Sequence, residues 1–302
     1  MLNLQTTNNW LLSICVCLTG CSGSDSVGNS CEGKNACTDS GVDSGHDSTP
    51  DVYVGPCGCG PLETCFEGKL CIAKMAPIDN LYLIDQTEVT RSQYEAWLKT
   101  EPSAKGQKCS GKLSFQPGEP CMNDARVCQT NCTQHPQVCV DWCDAYVYCE
   151  SVGKRLCGQI GGGEKYTIPS SASDPHAQWF YACSSGNRYK YPYGDTYEPD
   201  ACFGSDTKQG PLNCPIPNHC SVAPVASAPG CTSHEQGFEG VFDLSGNVSE
   251  WEDSCSDPDT DNCRARGGNV GADQAELPCA DESYGVSPTN QSPGVGFRCC
   301  SQ

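Results

Sequence analysis

Basic residues are scarce in this chain of 302 residues, which carries 18 lysines and arginines against 37 aspartates and glutamates and has a formal net charge of −19. Charge does not attract so acidic a chain to nucleic acid or to an anionic membrane surface, so we expect no nucleic-acid partner. An acidic surface does suit cations such as calcium, although in most acidic proteins the charge serves only to solvate the surface.

Histidine is also scarce, and the local motifs of several enzyme classes are missing. The five histidines are scattered without the spacing of metal ligands. There is no GxSxG motif, which excludes the usual signature of a serine hydrolase. No pair of CxxC units stands at the spacing of a zinc finger or zinc ribbon, which disfavours a zinc site.

Long apolar runs are missing as well. The run from Trp10 to Gly20 is too short to span a bilayer and is typical of the core of a signal peptide. It ends in LTGC at Cys21, which resembles the bacterial lipobox, although the first nine residues contain no lysine or arginine. We therefore predict a lipoprotein signal peptide over residues 1–21 and lipidation of Cys21. This places the protein in the bacterial cell envelope, as an outer-membrane lipoprotein or a secreted protein, with the membrane contacted through the lipid.

Cysteine, in contrast, is abundant, with 27 residues. When Cys15, Cys17 and Cys21 are set aside, the remaining number is even, which favours a fully paired set of disulfides formed in an oxidising compartment. Residues 22–55 are rich in Ser, Gly and Asp and predict a disordered acidic tether. Residues 56–74 contain four closely spaced cysteines and predict a small module with two bridges, whose connectivity the spacing leaves open. The main domain covers residues 75–302.

Within the main domain, the pattern predicts one strand and three helices. Alternating apolar residues at Leu81, Leu83 and Val89 indicate a strand, and Thr90 is the expected cap of a helix that runs to Leu98. A second helix should begin after Asp141. A third helix should have Asp174 as its cap and Pro175 at its first position.

Several longer motifs then carry a resemblance. They are QTEVTRSQYEAWL (86–98), PQVCVDWCDAYVYCESVGKRLC (136–157), YPYG (191–194), GVFDLSGNVSEW (240–251), ARGGNV (265–270) and GVGFRCC (294–300). In this order the motifs resemble the formylglycine-generating enzyme family, also called sulfatase-modifying factors. The resemblance implies an α+β fold that is a variant of the C-type lectin fold, irregular and rich in disulfides.

The resemblance also implies which residues should catalyse. In that family two cysteines after the RGG motif bind copper, and the metal supports the oxidation of a substrate cysteine to formylglycine. The first of these positions falls at Ala272, and the second falls around Ala275 or Glu276. Because neither is cysteine, we expect no copper and no catalytic residues. The family's structural disulfides correspond to Cys149 with Cys299 and to Cys183 with Cys279.

Calcium is the other cofactor that the resemblance implies. The loop of the GNVSEW motif places Asp243, Gly246, Val248 and Glu250 at the family's ligand positions, as two carboxylates and two backbone carbonyls. An alternative is that the two carboxylates only accept hydrogen bonds from turn N–H groups.

Three functions therefore stay open. The first is a surface-anchored lipoprotein whose domain is a non-catalytic binding or structural module for an unidentified protein or glycan. The second is a copper-dependent oxidase that generates formylglycine in exported sulfatases. The third is a calcium-dependent carbohydrate binder. The missing cysteines favour the first, and only the resemblance in fold supports the second.

Overall fold

The structure is a computed structural model that describes residues 57–105, 108–162, 172–208, 221–255, 262–281 and 285–302. The predicted signal peptide, the lipidation site at Cys21 and the predicted tether of residues 22–55 all lie outside these ranges. Those predictions therefore remain predictions. Among the described residues, no helix has both the length and the apolar character needed to cross a membrane.

The regular elements are short, and most of the chain between them is irregular. The strands are β1 (Glu63–Phe66), β2 (Leu70–Ala73), β3 (Met75–Ile78), β4 (Tyr82–Asp85), β5 (Arg155–Leu156), β6 (Ser249–Trp251), β7 (Ala265–Arg266), β8 (Val295–Gly296) and β9 (Cys299–Ser301). The helices are α1 (Arg91–Leu98), α2 (Glu119–Met122), α3 (Trp142–Ser151) and α4 (Gln178–Cys183).

The strands form three small sheets. Strands β1 and β2 make an antiparallel hairpin, β3-β4-β9-β5 make a four-stranded antiparallel sheet, and β7-β6-β8 make a three-stranded sheet in which β6 and β8 are parallel. The two larger sheets both contain strands from the C-terminal motifs. Those motifs therefore lie at the centre of the fold, and the earlier elements pack around them.

The two longer helices begin where their capping residues predict. Thr90 caps α1 and Asp141 caps α3, each through a capping box in which the third helical residue returns a hydrogen bond to the cap. Gly153 follows α3 with φ +73°, a conformation that glycine adopts without strain. The apolar sides of both helices are buried, with Tyr94 and Cys149 fully enclosed.

The strand predicted from the alternation around Leu81 and Leu83 is present as β4. Its buried face carries Tyr82 and Ile84, whereas Leu81 and Leu83 are 50% and 37% exposed. The register of β4 against β3 and β9 decides which face is buried, and both faces carry apolar residues, so alternation alone did not decide it.

One local prediction was wrong, and it concerns the start of the third helix. Helix α4 begins at Gln178, with Ala177 as its N-cap and no side-chain cap bond. Asp174 accepts hydrogen bonds from the backbone N–H and the ring of His176 instead of capping the helix. Ala177 is held by a bridge to Gln159, which fixes the chain in an extended conformation just before the helix.

Disulfides cross-link these elements densely. All twenty cysteines of the described residues are paired, in ten bridges: Cys57–Cys65, Cys59–Cys71, Cys109–Cys143, Cys121–Cys139, Cys128–Cys132, Cys149–Cys299, Cys157–Cys300, Cys183–Cys279, Cys202–Cys231 and Cys255–Cys263. They include the two pairs that the family resemblance implies. So many bridges are typical of proteins that fold in an oxidising compartment outside the cytoplasm.

Candidate functional site

The first candidate site is a group of buried charges beneath the GNVSEW loop. Arg298, between β8 and β9, donates to both carboxylate oxygens of Glu250, at 2.6 and 2.7 Å. The indole N–H of Trp179 adds a third hydrogen bond to Glu250, at 2.9 Å. The remaining guanidinium donors of Arg298 reach the carbonyl oxygens of Asp85 and Phe242. Both oxygens of Glu250 are therefore occupied.

Two further carboxylates lie close to this ion pair. Glu88 and Asp243 are fully or almost fully enclosed, and each has one carboxylate oxygen without a hydrogen-bond partner among the described residues. The other oxygen of Glu88 accepts from the Asn247 side chain at 2.8 Å. The other oxygen of Asp243 accepts from the Ala226 N–H at 2.6 Å. Among the described residues, the Arg298 guanidinium is the cation that faces these three buried carboxylates.

Burial raises the pKa values of Glu88 and Asp243, and neighbouring carboxylates raise them further. Burial, and then the charge of Asp243, raise the pKa of Glu88 well above its usual value. Burial also raises the pKa of Asp243 to about 7, against the opposing effects of the Ala226 N–H and Arg298. Three buried negative charges beside one positive charge would be costly, so part of this cluster retains its protons near neutral pH.

The loop that carries Asp243 is tightly folded. Asp243, Gly246 and Asn247 all have positive φ angles. A Cβ added at Gly246 would lie 2.1 Å from the carbonyl oxygen of Phe203, so glycine is required there both for space and for conformation. This packing places Asp243 close enough to Glu250 for their charges to interact, whereas the Val248 side chain lies in an apolar cluster.

The calcium ligand set nevertheless does not fit as predicted. Calcium requires several free oxygen ligands, but both oxygens of Glu250 are held by Arg298 and Trp179. The Arg298 guanidinium, 2.6 and 2.7 Å from the oxygens of Glu250, also supplies positive charge where calcium would otherwise supply it. Asp243 keeps one open carboxylate oxygen. The described residues contain one cluster of side chains that could ligate a metal, formed by Cys59, Glu63 and Cys71. The two sulfurs of this cluster are joined to each other in a disulfide.

Glu88 is the residue of this site that the sequence reasoning missed. It lies in the QTEVT motif before α1, and its partner Asn247 is 159 positions further along the chain. The signal that could have identified it is an acidic residue directly before the buried Val89, in a segment with few other charges. A charge in such a position is seldom buried without a partner.

The second candidate site is the loop after the RGG motif, where the family resemblance places two catalytic thiols. The loop folds back so closely that a Cβ added at Gly268 would lie 2.9 Å from the Cβ of Ala272. Ala272 is buried against Tyr191 and Leu277, and its carbonyl oxygen accepts from the Ser205 N–H at 2.9 Å. The first thiol position is therefore filled by a methyl group in a small apolar cluster.

The second thiol position lies on the exposed side of the same loop. Ala275 and Glu276 are both exposed and belong to a turn that satisfies its own polar groups. Asp273 accepts from the Ala275 N–H, and Glu276 accepts from the Asp273 N–H, at 2.8 and 3.2 Å. A soft metal such as Cu(I) needs thiolate ligands, which none of these side chains supplies. The residues present do not fit copper.

The buried carboxylates make the stability of the domain depend on pH. An unfolded aspartate has a pKa of about 3.9. The folded protein therefore keeps the Asp243 proton between about pH 4 and pH 7, where the unfolded chain has lost it. The contribution of this group to stability is thus present at low pH and is lost as the pH rises towards 7.

We therefore expect Asp243→Asn to flatten the pH dependence of the free energy of unfolding, measured in EDTA between pH 4.5 and pH 8. Asparagine can still accept from Ala226 but has no proton to lose, so the variant should gain on the order of 3 kcal/mol relative to wild type at the upper end. The exposed Asp195→Asn is the matched control and should follow wild type. Parallel profiles for wild type and Asp243→Asn would contradict the assignment.

Comparisons with known proteins match the part of the chain that contains the motifs described above. Residues 73–302 match the profile of the sulfatase-modifying factor enzyme 1-like domain, FGE-sulfatase. The chain is 26% identical over 172 residues to inactive C-alpha-formylglycine-generating enzyme 2 of Mus musculus, covering 55% of this chain and 49% of that protein. It is 28% identical over 120 residues to formylglycine-generating enzyme of Mus musculus, covering 39% and 27%. The chain thus spans about half or less of these relatives.

Among solved structures, PvdO from Pseudomonas aeruginosa matches with a TM-score of 0.47 and 20% identity, covering 73% of this chain and 80% of that one. The structure of CarF matches with a TM-score of 0.42 and 20% identity, covering 73% and 85%. The profile match extends over both candidate sites and the whole region of the shared motifs.

Proposed function

The chain belongs to the sulfatase-modifying factor enzyme 1-like domain family, and on that premise we propose that it is a non-catalytic binding module of the bacterial cell envelope. The fold is the irregular, disulfide-rich α+β variant of the C-type lectin fold that the family implies, and its bridges indicate an extracytoplasmic protein. The proposal includes attachment to the outer membrane through a lipid on Cys21. Labelling with radioactive palmitate that is lost in Cys21→Ser would test the attachment.

The observation that supports the absence of catalysis is the chemistry of the loop after RGG. A buried methyl group and an exposed turn occupy the positions that the family resemblance assigns to the copper thiolates. No other pair of thiols is open in the described ranges, because every cysteine there is in a disulfide. The names of the relatives do not decide the question, since one is called inactive and another is not.

We expect the purified protein to bind no Cu(I) and to form no aldehyde on a cysteine-containing sulfatase peptide in the presence of Cu(I) and oxygen. Copper binding is measured by competition with a coloured Cu(I) chelator, and the aldehyde by mass spectrometry. The mouse formylglycine-generating enzyme serves as the positive control. Either stoichiometric copper or a modified peptide would contradict the proposal.

Cysteines introduced at the two positions assigned by the family resemblance provide a second test of copper binding. The variant Ala272→Cys/Glu276→Cys should compete for Cu(I) where wild type does not, and Ala275→Cys in place of Glu276→Cys tests the alternative second position. The matched control Ala272→Ser/Glu276→Ser has similar side-chain volumes without soft ligands and should behave as wild type. If neither cysteine variant binds copper, the placement of the family's catalytic positions in this loop is wrong.

Calcium-dependent carbohydrate binding is the second candidate, and the open oxygen of Asp243 is the observation that favours it. Arg298 already neutralises Glu250, so we expect calcium, added in place of EDTA, to leave the melting temperature of wild type unchanged. A calcium-induced rise in wild type that is absent in Asp243→Asn would support this candidate instead.

A further inference from the structure

A cleft with aromatic walls opens beside the loop that lacks the thiols. Its volume is about 580 Å³, and we call it the tyrosine cleft. It is lined by Tyr193, Tyr197, Glu198, Pro199, Asp200, Ala201, Gly230 and His234. Neither the family resemblance nor the buried carboxylate cluster accounts for it.

The tyrosines of the cleft pack against a third, buried tyrosine. Tyr191 stacks on Tyr193, with ring centroids 5.3 Å apart and planes 6° from parallel. It also contacts Tyr197, at 5.6 Å between centroids. Tyr191 in turn packs against Ala272 and Leu277. The loop that would have carried the catalytic thiols therefore supports an aromatic platform.

Carboxylates predominate among the ionisable side chains that line the cleft. Glu198 and Asp200 line the cleft, and the Tyr197 hydroxyl donates to Asp206 at 2.5 Å. The lining contains no lysine or arginine; its one basic side chain is the exposed His234. Lys208 approaches through its backbone N–H, which donates to Asp200. A phenol that donates to a carboxylate gains electron density, which strengthens the attraction of its ring for a cation.

We propose that the tyrosine cleft binds an alkylammonium group. The aromatic walls supply cation–π attraction, and the surrounding carboxylates supply charge complementarity, which a neutral sugar would not require. Two sources share this chemistry, a trimethylammonium headgroup and the side chain of a lysine. The inference rests on the proposed binding function and gives it a ligand class.

The test uses the intact extracytoplasmic protein and four small probes, with binding followed by NMR line broadening and calorimetry. Choline and Nα-acetyl-lysine amide represent the two sources. Their neutral counterparts, 3,3-dimethyl-1-butanol and Nα-acetyl-norleucine amide, have nearly the same shape without the charge. We expect saturable binding of at least one cation, at least tenfold weaker binding of its neutral counterpart, and loss of affinity as sodium chloride rises.

Variants locate the binding. Tyr197→Ala should weaken the cation's affinity about tenfold because it removes a ring, whereas Tyr197→Phe keeps the ring and should lose only a few-fold. Tyr189→Ala, which removes a tyrosine bonded to Glu235 outside the cleft, is the matched control and should bind as wild type. The melting temperature of each variant confirms that it is folded.

Three results would overturn the inference: no binding of either cation, equal binding of the neutral counterparts, or equal affinity in wild type and Tyr197→Ala. None of these affects the absence of copper chemistry, which is measured separately. Copper binding by wild type would refute the non-catalytic function even if choline binds. The two failures are therefore distinguishable.

Discussion

Replacing Arg298 with methionine is expected to lower the stability of the domain by about 3–5 kcal/mol, which corresponds to a fall of roughly 10 °C in melting temperature. Arg298 is fully buried, and in the part of the chain that the structure describes its guanidinium is the one positive charge facing Glu88, Asp243 and Glu250. Removing it leaves Glu250 buried without its ion partner, and a buried unpaired charge is among the most destabilising changes in proteins.

The control for this prediction is Arg188→Met. Arg188 forms an ion pair with Glu235 at 3.2 Å on the surface, where the side chains are 55% and 37% exposed. Solvent screens such a pair, so the change should be within about 1 kcal/mol. The double variant Arg298→Met/Glu250→Gln should recover part of the lost stability, because it removes the unpaired charge. A fall below 2 °C in Arg298→Met would contradict the account of the charge cluster.

The second large effect should come from the two disulfides that hold the C-terminal strand. Cys149–Cys299 and Cys157–Cys300 both attach β9, to α3 and to the end of β5 respectively, and they span 150 and 143 residues. Because the bridges begin eight residues apart and end on neighbouring residues, either one alone already closes the long loop. Each bridge therefore constrains only a short additional loop while the other is present.

We therefore expect replacement of either pair by alanines to cost about 3 kcal/mol, and replacement of both to cost roughly 7 kcal/mol, more than the sum. Thermal unfolding without reductant measures the three variants. Removal of Cys128–Cys132, which closes four residues of an exposed loop, is the control and should cost no more than about 2 kcal/mol. Strictly additive losses would show that the bridges do not share one loop.

The sequence predicted the parts of the fold that depend on local chemistry. The caps Thr90 and Asp141 located α1 and α3 because a capping box is formed by residues three positions apart. The start of α4 was wrong because a contact with Gln159 competes with the Asp174 cap. The alternation predicted strand β4 but not which of its faces is buried, since pairing with β9, distant in the chain, helps to set its register.

In the candidate sites too, the sequence predicts what depends on one segment and not the contacts between distant segments. The distance from the RGG motif predicts that Ala272 stands at the first thiol position, but its packing against Tyr191 and Leu277 is not visible in the sequence. The charge cluster joins Glu88 to residues more than 150 positions away in the chain. No pattern within a single segment predicts that Arg298 donates to Glu250 and neutralises it. The tyrosine cleft likewise depends on Tyr197 and Gly230 meeting across separate loops.

The most direct test of the central claim is alkylation of free thiols under native and denaturing conditions, with and without Cu(I), read by mass spectrometry of the extracytoplasmic protein. If the domain is a non-catalytic binding module, none of the twenty described cysteines between Cys57 and Cys300 takes the label, and copper changes nothing. Two cysteines that take the label alone and are protected by copper would contradict the claim and identify the domain as an oxidase with a relocated site.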